Sequence, residues 1–305
     1  MRITHPEPAP GARFIDPAVL ARIGNLQLVA RNVVDGFING LHRAPYLGLS
    51  LDFAEHRPYM PGDDIRRIDW RLYARTDRYH VKEFEADTNA NFAVLLDTSA
   101  SMGYGSGPVT KLDYARYLTA SLAYFSHGQR DRVGLVTFAD DVAEYVPCSA
   151  KHMDVLLHAV DRARPAGASD LPRVLRQVTE LLRRRGIVVL VSDLYADPAA
   201  VVGAVAPLRY RGHDVIVFHV LDPAERELPF DEPLSLEDLE TGERLPLMPA
   251  GVRERYRERV AAHIAVMRQE LTNQRIDYAL LDTSRPLDQA LFAYLSARER
   301  LSRSR

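Results

Sequence analysis

Apolar residues form five short, almost uninterrupted runs in this chain, at residues 92–96, 133–138, 187–191, 215–220 and 278–281. Runs of this kind are typical of parallel strands that are covered on both faces. They alternate with stretches of helical spacing near 111–127, 151–162, 171–184 and 198–209. The alternation predicts an α/β fold with a doubly wound, mostly parallel sheet and helices on both faces. Residues 142–146 predict a short strand at the edge of that sheet.

Other segments depart from this alternation and suggest how the chain is organised. We expect residues 1–16 to be a flexible tail, residues 17–89 to form a helix followed by a small antiparallel β extension, and residues 90–297 to form the main domain. Within that domain, residues 222–250 carry five prolines and predict a hairpin around Glu240 to Glu243. Residues 298–305 predict a short basic tail.

Charge and composition narrow the class of protein. The chain has 39 Lys and Arg against 41 Asp and Glu, a formal net charge of −2, so there is no general electrostatic case for nucleic acid as a partner. A single cysteine, Cys148, excludes an intrachain disulfide and a multi-thiolate zinc site. We see neither an apolar run of the roughly 20 residues that a membrane span needs nor an apolar signal core, and we expect a cytoplasmic protein.

Oxygen-bearing side chains follow the first buried run in the pattern D-x-S-x-S, with Asp97, Ser99 and Ser101. A tight turn after a strand can direct one carboxylate and two hydroxyls at a common point. These are hard donors, which suit Mg²⁺ or Mn²⁺ better than zinc. The motif alone is weak evidence, because most such stretches are turns and helix caps.

Two later positions strengthen the metal hypothesis. Ser169 lies in a glycine-led loop just before a predicted helix, although Ser169 or Asp170 could instead cap that helix. Asp193 comes two residues after the apolar run at 187–191, at the end of the predicted strand. A buried carboxylate at this position is costly unless it is paired or bound to a metal. The alternative is that Asp193 caps the turn that follows. The carboxyl ends of parallel strands meet at one edge of a sheet, so we expect these groups to lie close together.

The order of these donors resembles the metal-ion-dependent adhesion site of von Willebrand factor A domains, over about residues 90–297. The resemblance implies that Asp97, Ser99 and Ser101 are ligands from the first loop. Ser169 stands where that family more often has threonine, and Asp193 would be the third-loop carboxylate, acting directly or through water. Such a site binds a divalent ion and leaves one position for an acidic side chain of a partner.

A second resemblance lies in the segment RPYMPGDDIRRIDWRLYARTDRYHVKEFEADTN, residues 57–89. It is similar to the signature of the bacterial DUF58 proteins, which place such a segment just before a von Willebrand A-like domain. Membership would imply a gene neighbourhood shared with MoxR-type AAA+ ATPases. It would also imply a role beside such an ATPase, with the ATPase or its client as partner, in the assembly or activation of other proteins.

The charged and aromatic stretch at residues 63–78 has two interpretations. Arginine and aromatic residues are enriched at interfaces, so Arg66, Asp69, Trp70 and Arg75 are candidate partner-binding residues. Alternatively, the same charges form an internal ion-pair lattice that holds the extension against the main sheet.

We expect a binding protein rather than an enzyme. The alternative is a Mg²⁺-dependent hydrolase or phosphatase, in which a strand-end aspartate is the nucleophile and a second aspartate two residues later is the acid and base. Here that position is Ser99, which cannot take the role. The sequence contains neither a P-loop G-x-x-x-x-G-K-[ST] nor a G-x-S-x-G elbow. A further alternative is a structural relative whose metal site is inactive.

Overall fold

The computed structural model describes residues 20, 25–43, 56–58, 73, 80–82, 90–287, 290, 291 and 294. Its strands are β1 (His56–Pro58), β2 (His80–Lys82), β3 (Asn91–Asp97), β4 (Arg132–Phe138), β5 (Val142–Ser149), β6 (Gly186–Ser192), β7 (Asp214–Leu221), β8 (Leu234–Glu237), β9 (Arg244–Leu247) and β10 (Asp277–Asp282). Its helices are α1 (Leu26–Arg43), α2 (Lys111–Gly128), α3 (Met153–Arg162), α4 (Leu171–Leu181), α5 (Pro198–Tyr210), α6 (Pro223–Glu227) and α7 (Pro249–Asn273).

A six-stranded sheet in the order β10-β7-β6-β3-β4-β5 forms the centre of the domain. Every neighbouring pair is parallel except β4 and β5. Alternate residues of β3 face different cores: Phe92 packs in a cluster with α1, α2 and α3. Leu95 packs in a second cluster with α4, α5 and α7. Helices therefore cover both faces, and the predicted doubly wound α/β fold is confirmed. The predicted edge strand is present as β5, and it runs antiparallel to β4.

The edge strand β5 is irregular, and the sequence accounts for this. Its register against β4 shifts between Val133 and Leu135, and Pro147 lies in β5 at this point. A Cβ on Gly134 would stand 2.7 Å from the sulfur of Cys148 and 2.9 Å from its backbone nitrogen. Only glycine therefore allows the two strands to approach here, and the irregularity bends the edge of the sheet.

The predicted hairpin in the proline-rich excursion is present. Strands β8 and β9 pair antiparallel, with Leu234 opposite Leu247 and Glu237 opposite Arg244. They form a separate two-stranded ribbon rather than extending the main sheet. Arg253 of α7 holds the segment that leads into the ribbon, since its guanidinium donates to the carbonyls of Leu228 and Phe230.

The N-terminal part of the chain is described only in segments. Helix α1 covers much of the predicted helix, and β1 pairs antiparallel with β2, as expected for a small β extension. The four candidate partner-binding residues Arg66, Asp69, Trp70 and Arg75 lie outside the described residues. In the part of the chain that is described, no helix combines the length and apolar character needed to cross a membrane.

Candidate metal-binding edge of the sheet

Three loops meet at the carboxyl ends of β3 and β6. The loop after β3 is joined to the loop before α4 by two backbone hydrogen bonds, from Ala100 N–H to the Gly167 carbonyl at 2.9 Å and from Ala166 N–H to the Thr98 carbonyl at 2.9 Å. Ser192, the last residue of β6, donates its hydroxyl to Asp97 at 2.6 Å. The fold thus brings the loops that carry all five predicted ligands to one edge. We call this region the metal edge.

Asp97 is fully buried at the end of β3. One carboxylate oxygen accepts the backbone N–H of Ser99 at 2.9 Å, and the other accepts the hydroxyl of Ser192. Burial and, next in size, the nearby carboxylate of Asp193 raise the pKa of Asp97 to about 7. Two acidic groups therefore lie near one another in a dry environment. The hydroxyls of Ser99 and Ser101 are 3.1 Å apart at the same turn.

Asp193 is held by a lysine that the sequence analysis did not single out. The ammonium of Lys111 lies 2.7 Å from a carboxylate oxygen of Asp193 and 2.7 Å from one of Glu225. The Lys111 side chain is entirely buried, and those of Asp193 and Glu225 are 2% and 15% exposed. Buried charges of this kind are tolerated only when they are paired, so the three side chains form a single unit beside Asp97.

The helix α6 positions Glu225 for this contact. Asp222 and Glu225 form a capping box, in which the second Glu225 oxygen accepts the Asp222 N–H at 3.0 Å. Asp222, also buried, accepts the backbone N–H of Ser106 at 2.9 Å and the hydroxyl of Thr283 at 3.1 Å. These bonds tie the glycine-rich loop after Ser101 to the ends of β7 and β10, so Lys111, which follows that loop, is held in place.

The turn after Asp193 has an unusual backbone conformation. Leu194 has a φ of 51°, in the left-handed region that residues other than glycine rarely adopt. Its N–H donates to the Ser192 hydroxyl at 3.0 Å, and its side chain is buried. Left-handed backbone at a bulky residue is uncommon, and such residues cluster at functional sites. Here it turns the chain sharply at the residue after Asp193.

The loop before α4 settles which residue caps the helix. The carboxylate of Asp170 accepts the Arg173 N–H at 3.0 Å and is the N-cap of α4. Ser169 is therefore not the cap, and Gly167, with a φ of 70°, makes the turn that precedes it. The backbone N–H of Ser169 donates to Glu240 Oε2 at 3.1 Å, across 71 residues of sequence.

The sequence contains a signal for Lys111, which the sequence analysis did not identify as a site residue. Lys111 is the first residue of α2, whose start is marked by the Thr110–Asp113 capping box. A cation in the first turn opposes the helix dipole, so a lysine at that position has to be stabilised by a partner. Nothing local to the sequence indicates that the partners are Asp193 and Glu225, because 82 and 114 residues separate them from Lys111.

The donor set fits a hard divalent cation. Across the described residues, no three His, Cys, Asp or Glu side chains converge as a metal-binding group, so an ion at this edge would depend on serine hydroxyls as well as carboxylates. Asp97 offers such a combination with Ser99 and Ser101. Each carboxylate oxygen can accept more than one bond, so the existing hydrogen bonds leave Asp97 able to coordinate. Repulsion between Asp97 and Asp193 is what a cation would relieve.

A family model described as "Protein of unknown function DUF58" matches residues 55–266. The chain belongs to the DUF58 family. The predicted membership is thereby confirmed, and the matched region includes the segment 57–89 that suggested it.

Curated relatives cover nearly the whole DUF58 chain. Uncharacterized proteins of Mycobacterium bovis and of Mycobacterium tuberculosis are each 28% identical over 307 residues, which is 98% of this chain and 95% of theirs. BatB, a conserved hypothetical protein from Bacteroides thetaiotaomicron, aligns in structure with a TM-score of 0.48 and 14% identity, over 70% of this chain and 99% of its own. The von Willebrand factor domain of the type V pili tip protein Mfa5 from Porphyromonas gingivalis aligns with a TM-score of 0.36 and 10% identity, over 70% of this chain and 93% of its own.

Proposed function

We propose that this DUF58 protein is a non-enzymatic protein-binding module that depends on Mg²⁺ or Mn²⁺. The observation that carries the proposal is the meeting of Asp97, Ser99 and Ser101 with the loops of Ser169 and Asp193 at one edge of the sheet. When bound, a divalent ion there would attract a carboxylate of the partner. Residues of this chain would hold the ion and set the charge around it.

Each side chain at the metal edge has a separate role. Asp97 and the hydroxyls of Ser99 and Ser101 would hold the ion, with Ser169 and Asp193 next to it. Lys111 fixes the orientation of Asp193 and offsets part of its charge. Two carboxylates leave a divalent ion formally close to neutral, and hydroxyls at the other positions add no negative charge. A partner carboxylate can therefore still bind favourably.

A Mn²⁺ titration followed by electron paramagnetic resonance tests the metal site. Asp97→Asn keeps the shape of the side chain and an oxygen for the Ser99 N–H, but it puts an amide NH₂ where the second oxygen accepts from Ser192. We expect it to weaken Mn²⁺ binding at least about tenfold. Asp197→Asn is the matched control. Asp197 comes after β6, four residues beyond Asp193, and it caps α5 by accepting the N–H of Ala199 at 3.0 Å. Asparagine caps equally well. Equal affinities in the two variants would remove the basis of the proposal.

For the partner we propose a MoxR-type AAA+ ATPase or its client, on the resemblance carried by residues 57–89. Immobilised protein is incubated with extract of the native host in Mg²⁺ or in EDTA, and retained proteins are identified by mass spectrometry. We expect such an ATPase or its client to be retained in Mg²⁺ and lost in EDTA and with Asp97→Asn. Retention that is indifferent to both changes would contradict a metal-completed contact.

A further inference from the structure

The hairpin formed by β8 and β9, together with the start of α7, carries a large share of the exposed apolar side chains. Among the described residues, thirteen large apolar side chains are exposed, and six of them fall within residues 230–252. These six are Phe230, Leu236, Leu239, Leu245, Met248 and Val252. Single exposed apolar residues are common on protein surfaces, whereas a concentration of them marks a site of interaction.

The register of the two strands places four leucines on one face of the hairpin. Leu234 lies opposite Leu247, and Leu236 lies opposite Leu245. Alternate residues of a strand share a face, and so do residues that are directly opposite in an antiparallel pair. We call the surface formed by these four residues the leucine face. Leu236 is 37% exposed and Leu245 is 63% exposed, so the outer half of the leucine face is open to solvent.

The opposite face of the hairpin is polar, and its charges are paired within the ribbon. Glu237 lies opposite Arg244, and their side chains form an ion pair at 2.8 Å. An amphipathic ribbon of this kind normally buries its apolar face against another layer of the fold. The exposure of Leu236 and Leu245 shows that the outer half of the leucine face lacks such a layer.

The hairpin is held at both ends, so it presents the leucine face in a defined orientation. At the base, the guanidinium of Arg253 donates to the Leu228 carbonyl at 3.0 Å and pairs with Asp231 at 2.6 Å. At the tip, the Glu240 carboxylate accepts the backbone N–H of Ser169 at 3.1 Å. A surface that is ordered before binding loses less conformational entropy when a partner arrives. The hairpin is therefore suited to docking.

The charges of the hairpin decide what kind of partner fits. Residues 231–247 contain six carboxylates and one cation, Arg244. Asp231 is paired with Arg253, and Glu237 is paired with Arg244. The other four carboxylates are those of Glu232, Asp238, Glu240 and Glu243. They form no ion pair with any cation of the described residues, so the leucine face is surrounded by negative charge that is not neutralised.

This charge favours a basic partner over a second copy of the chain. If two copies stacked their leucine faces, the unpaired carboxylates of one would approach those of the other and repel them. Lysine and arginine side chains of a partner would instead be attracted. The apolar side chains lie on a face of the ribbon rather than along its edge. An amphipathic helix laid across that face covers such a surface.

We propose that the leucine face docks a basic amphipathic helix of a partner protein. The aliphatic side chains of that helix lie against Leu236 and Leu245, and its lysine or arginine side chains lie near the surrounding carboxylates. No metal ion takes part in this contact. The inference therefore goes beyond the proposed function and is tested separately from it.

Fluorescence anisotropy with a labelled synthetic peptide tests the proposal on the full chain in EDTA. The probe has about 18 residues, enough for five turns of helix, with leucine at helical spacing on one face and lysine at the other positions. A second peptide with glutamate in place of each lysine is the control. We expect the lysine peptide to bind, and the glutamate peptide to bind at least about tenfold more weakly.

Exposed leucines supply the first variant, because replacing them leaves the core intact. Leu236→Thr combined with Leu245→Thr keeps residues that suit a strand. We expect this variant to bind the lysine peptide about tenfold more weakly, since two apolar contacts are lost. Val155→Thr, at a comparably exposed residue of α3, is the matched control and should change the affinity by less than about twofold. Urea denaturation establishes that each variant is folded.

The unpaired carboxylates supply the second variant. Glu232→Gln combined with Glu243→Gln is expected to weaken binding of the lysine peptide about threefold, in the range of exposed ion pairs. Glu180→Gln, at an exposed residue of α4, is its control and should leave the affinity unchanged. Added salt should reduce the difference between the parent and the glutamine variant, because exposed charges are screened.

Equal binding of the two peptides, or an affinity that the leucine substitutions do not change, would overturn the proposal. Sedimentation that finds a dimer of the parent and a monomer of the leucine variant would make a second copy the occupant and would also overturn it. Asp97→Asn should bind the lysine peptide like the parent, and a loss in that variant would place the peptide at the metal edge instead. If Asp97→Asn binds Mn²⁺ like the parent while the leucine variant loses the peptide, only the metal-dependent function fails.

Discussion

Lys111 and Asp193 form a buried ion pair in which the ammonium and a carboxylate oxygen are 2.7 Å apart. The same ammonium contacts Glu225 at the same distance, and the ring of Tyr195 lies over it with 4.7 Å between the nitrogen and the ring centre. One cation thereby joins the start of α2 to the end of β6 and to α6. The loops of the metal edge are held to one another by charge as well as by packing.

Replacing Lys111 should strongly destabilise the protein. Lys111→Met keeps the volume of the side chain but leaves Asp193 and Glu225 buried without their cation. We expect the free energy of unfolding, measured in urea, to fall by about 3–5 kcal/mol. Lys151→Met, at an exposed lysine, serves as the control and should change little. Adding Glu225→Gln to Lys111→Met should recover part of the lost stability. If Lys111→Met alone were as stable as the parent, the pairing would be contradicted.

The glycine-rich loop before α2 offers a matched pair of substitutions. A Cβ at Gly105 would lie 2.5 Å from the Val109 carbonyl oxygen, whereas a Cβ at Gly107 would meet nothing within 4 Å. We expect Gly105→Ala to lower the unfolding free energy by about 1–3 kcal/mol, since backbone has to shift. Gly107→Ala should leave it nearly unchanged. Similar values for the two variants, measured by urea denaturation, would show that the loop is not packed as described.

His213 gives a pH dependence of stability. Its Nε2 lies 3.1 Å from the Leu182 carbonyl oxygen, and burial, with a smaller effect of Arg211, holds its pKa below the ordinary value of 6.5. The neutral ring is therefore favoured in the folded state. Its contribution is complete above the unfolded pKa of 6.5 and is lost as the pH falls below that value towards the folded pKa.

Urea denaturation at about pH 7 and about pH 5 measures this contribution. We expect the parent to lose more stability than His213→Gln when the pH is lowered from about 7 to about 5. The amide of the glutamine can still donate to the Leu182 carbonyl. A single group accounts for at most about 1.4 kcal/mol per pH unit. His219, whose pKa burial lowers to about 3, titrates in both proteins and cancels in the comparison. Identical pH dependences would mean that His213 is not buried as a neutral ring.

We expect no phosphatase activity from the metal edge. The residue two positions after Asp97 is Ser99, which cannot serve as the acid and base that an aspartyl phosphatase needs. With Mg²⁺ and p-nitrophenyl phosphate, the rate of the parent should equal that of Asp97→Asn prepared in the same way. Turnover that disappears in Asp97→Asn would overturn the binding-module proposal in favour of the hydrolase.

The sequence was sufficient for the parts of the fold that depend on local pattern. Strands β3, β6 and β7 appear as continuous apolar runs because both of their faces are covered, and Asp97 is the last residue of the first of them. The contacts of Lys111 and Glu240 were not predictable in this way. Each joins residues 71 or more positions apart through a single polar group, and such a pairing leaves no periodic trace in the sequence.

For the metal edge, the sequence predicts only that the ends of β3 and β6 lie side by side. Asp97 and Asp193 lie at the ends of neighbouring parallel strands as a consequence of topology, which the alternation of apolar runs and helices predicts. The geometry of the turns determines which donor each oxygen faces. One such turn has Leu194 in the left-handed region, a conformation that the residue type does not predict. The arrangement of the site therefore had to be observed.

Pro147 bears on how other proteins can attach to this one. Partners that bind by strand addition need a row of free N–H and carbonyl groups along the edge of a sheet. On β5 that row is broken, because Pro147 has no N–H and the irregularity opposite Gly134 bends the strand at the same place. An incoming strand would lose its ladder of hydrogen bonds there. This margin of the sheet is thus protected against the edge-to-edge association that leads to aggregation.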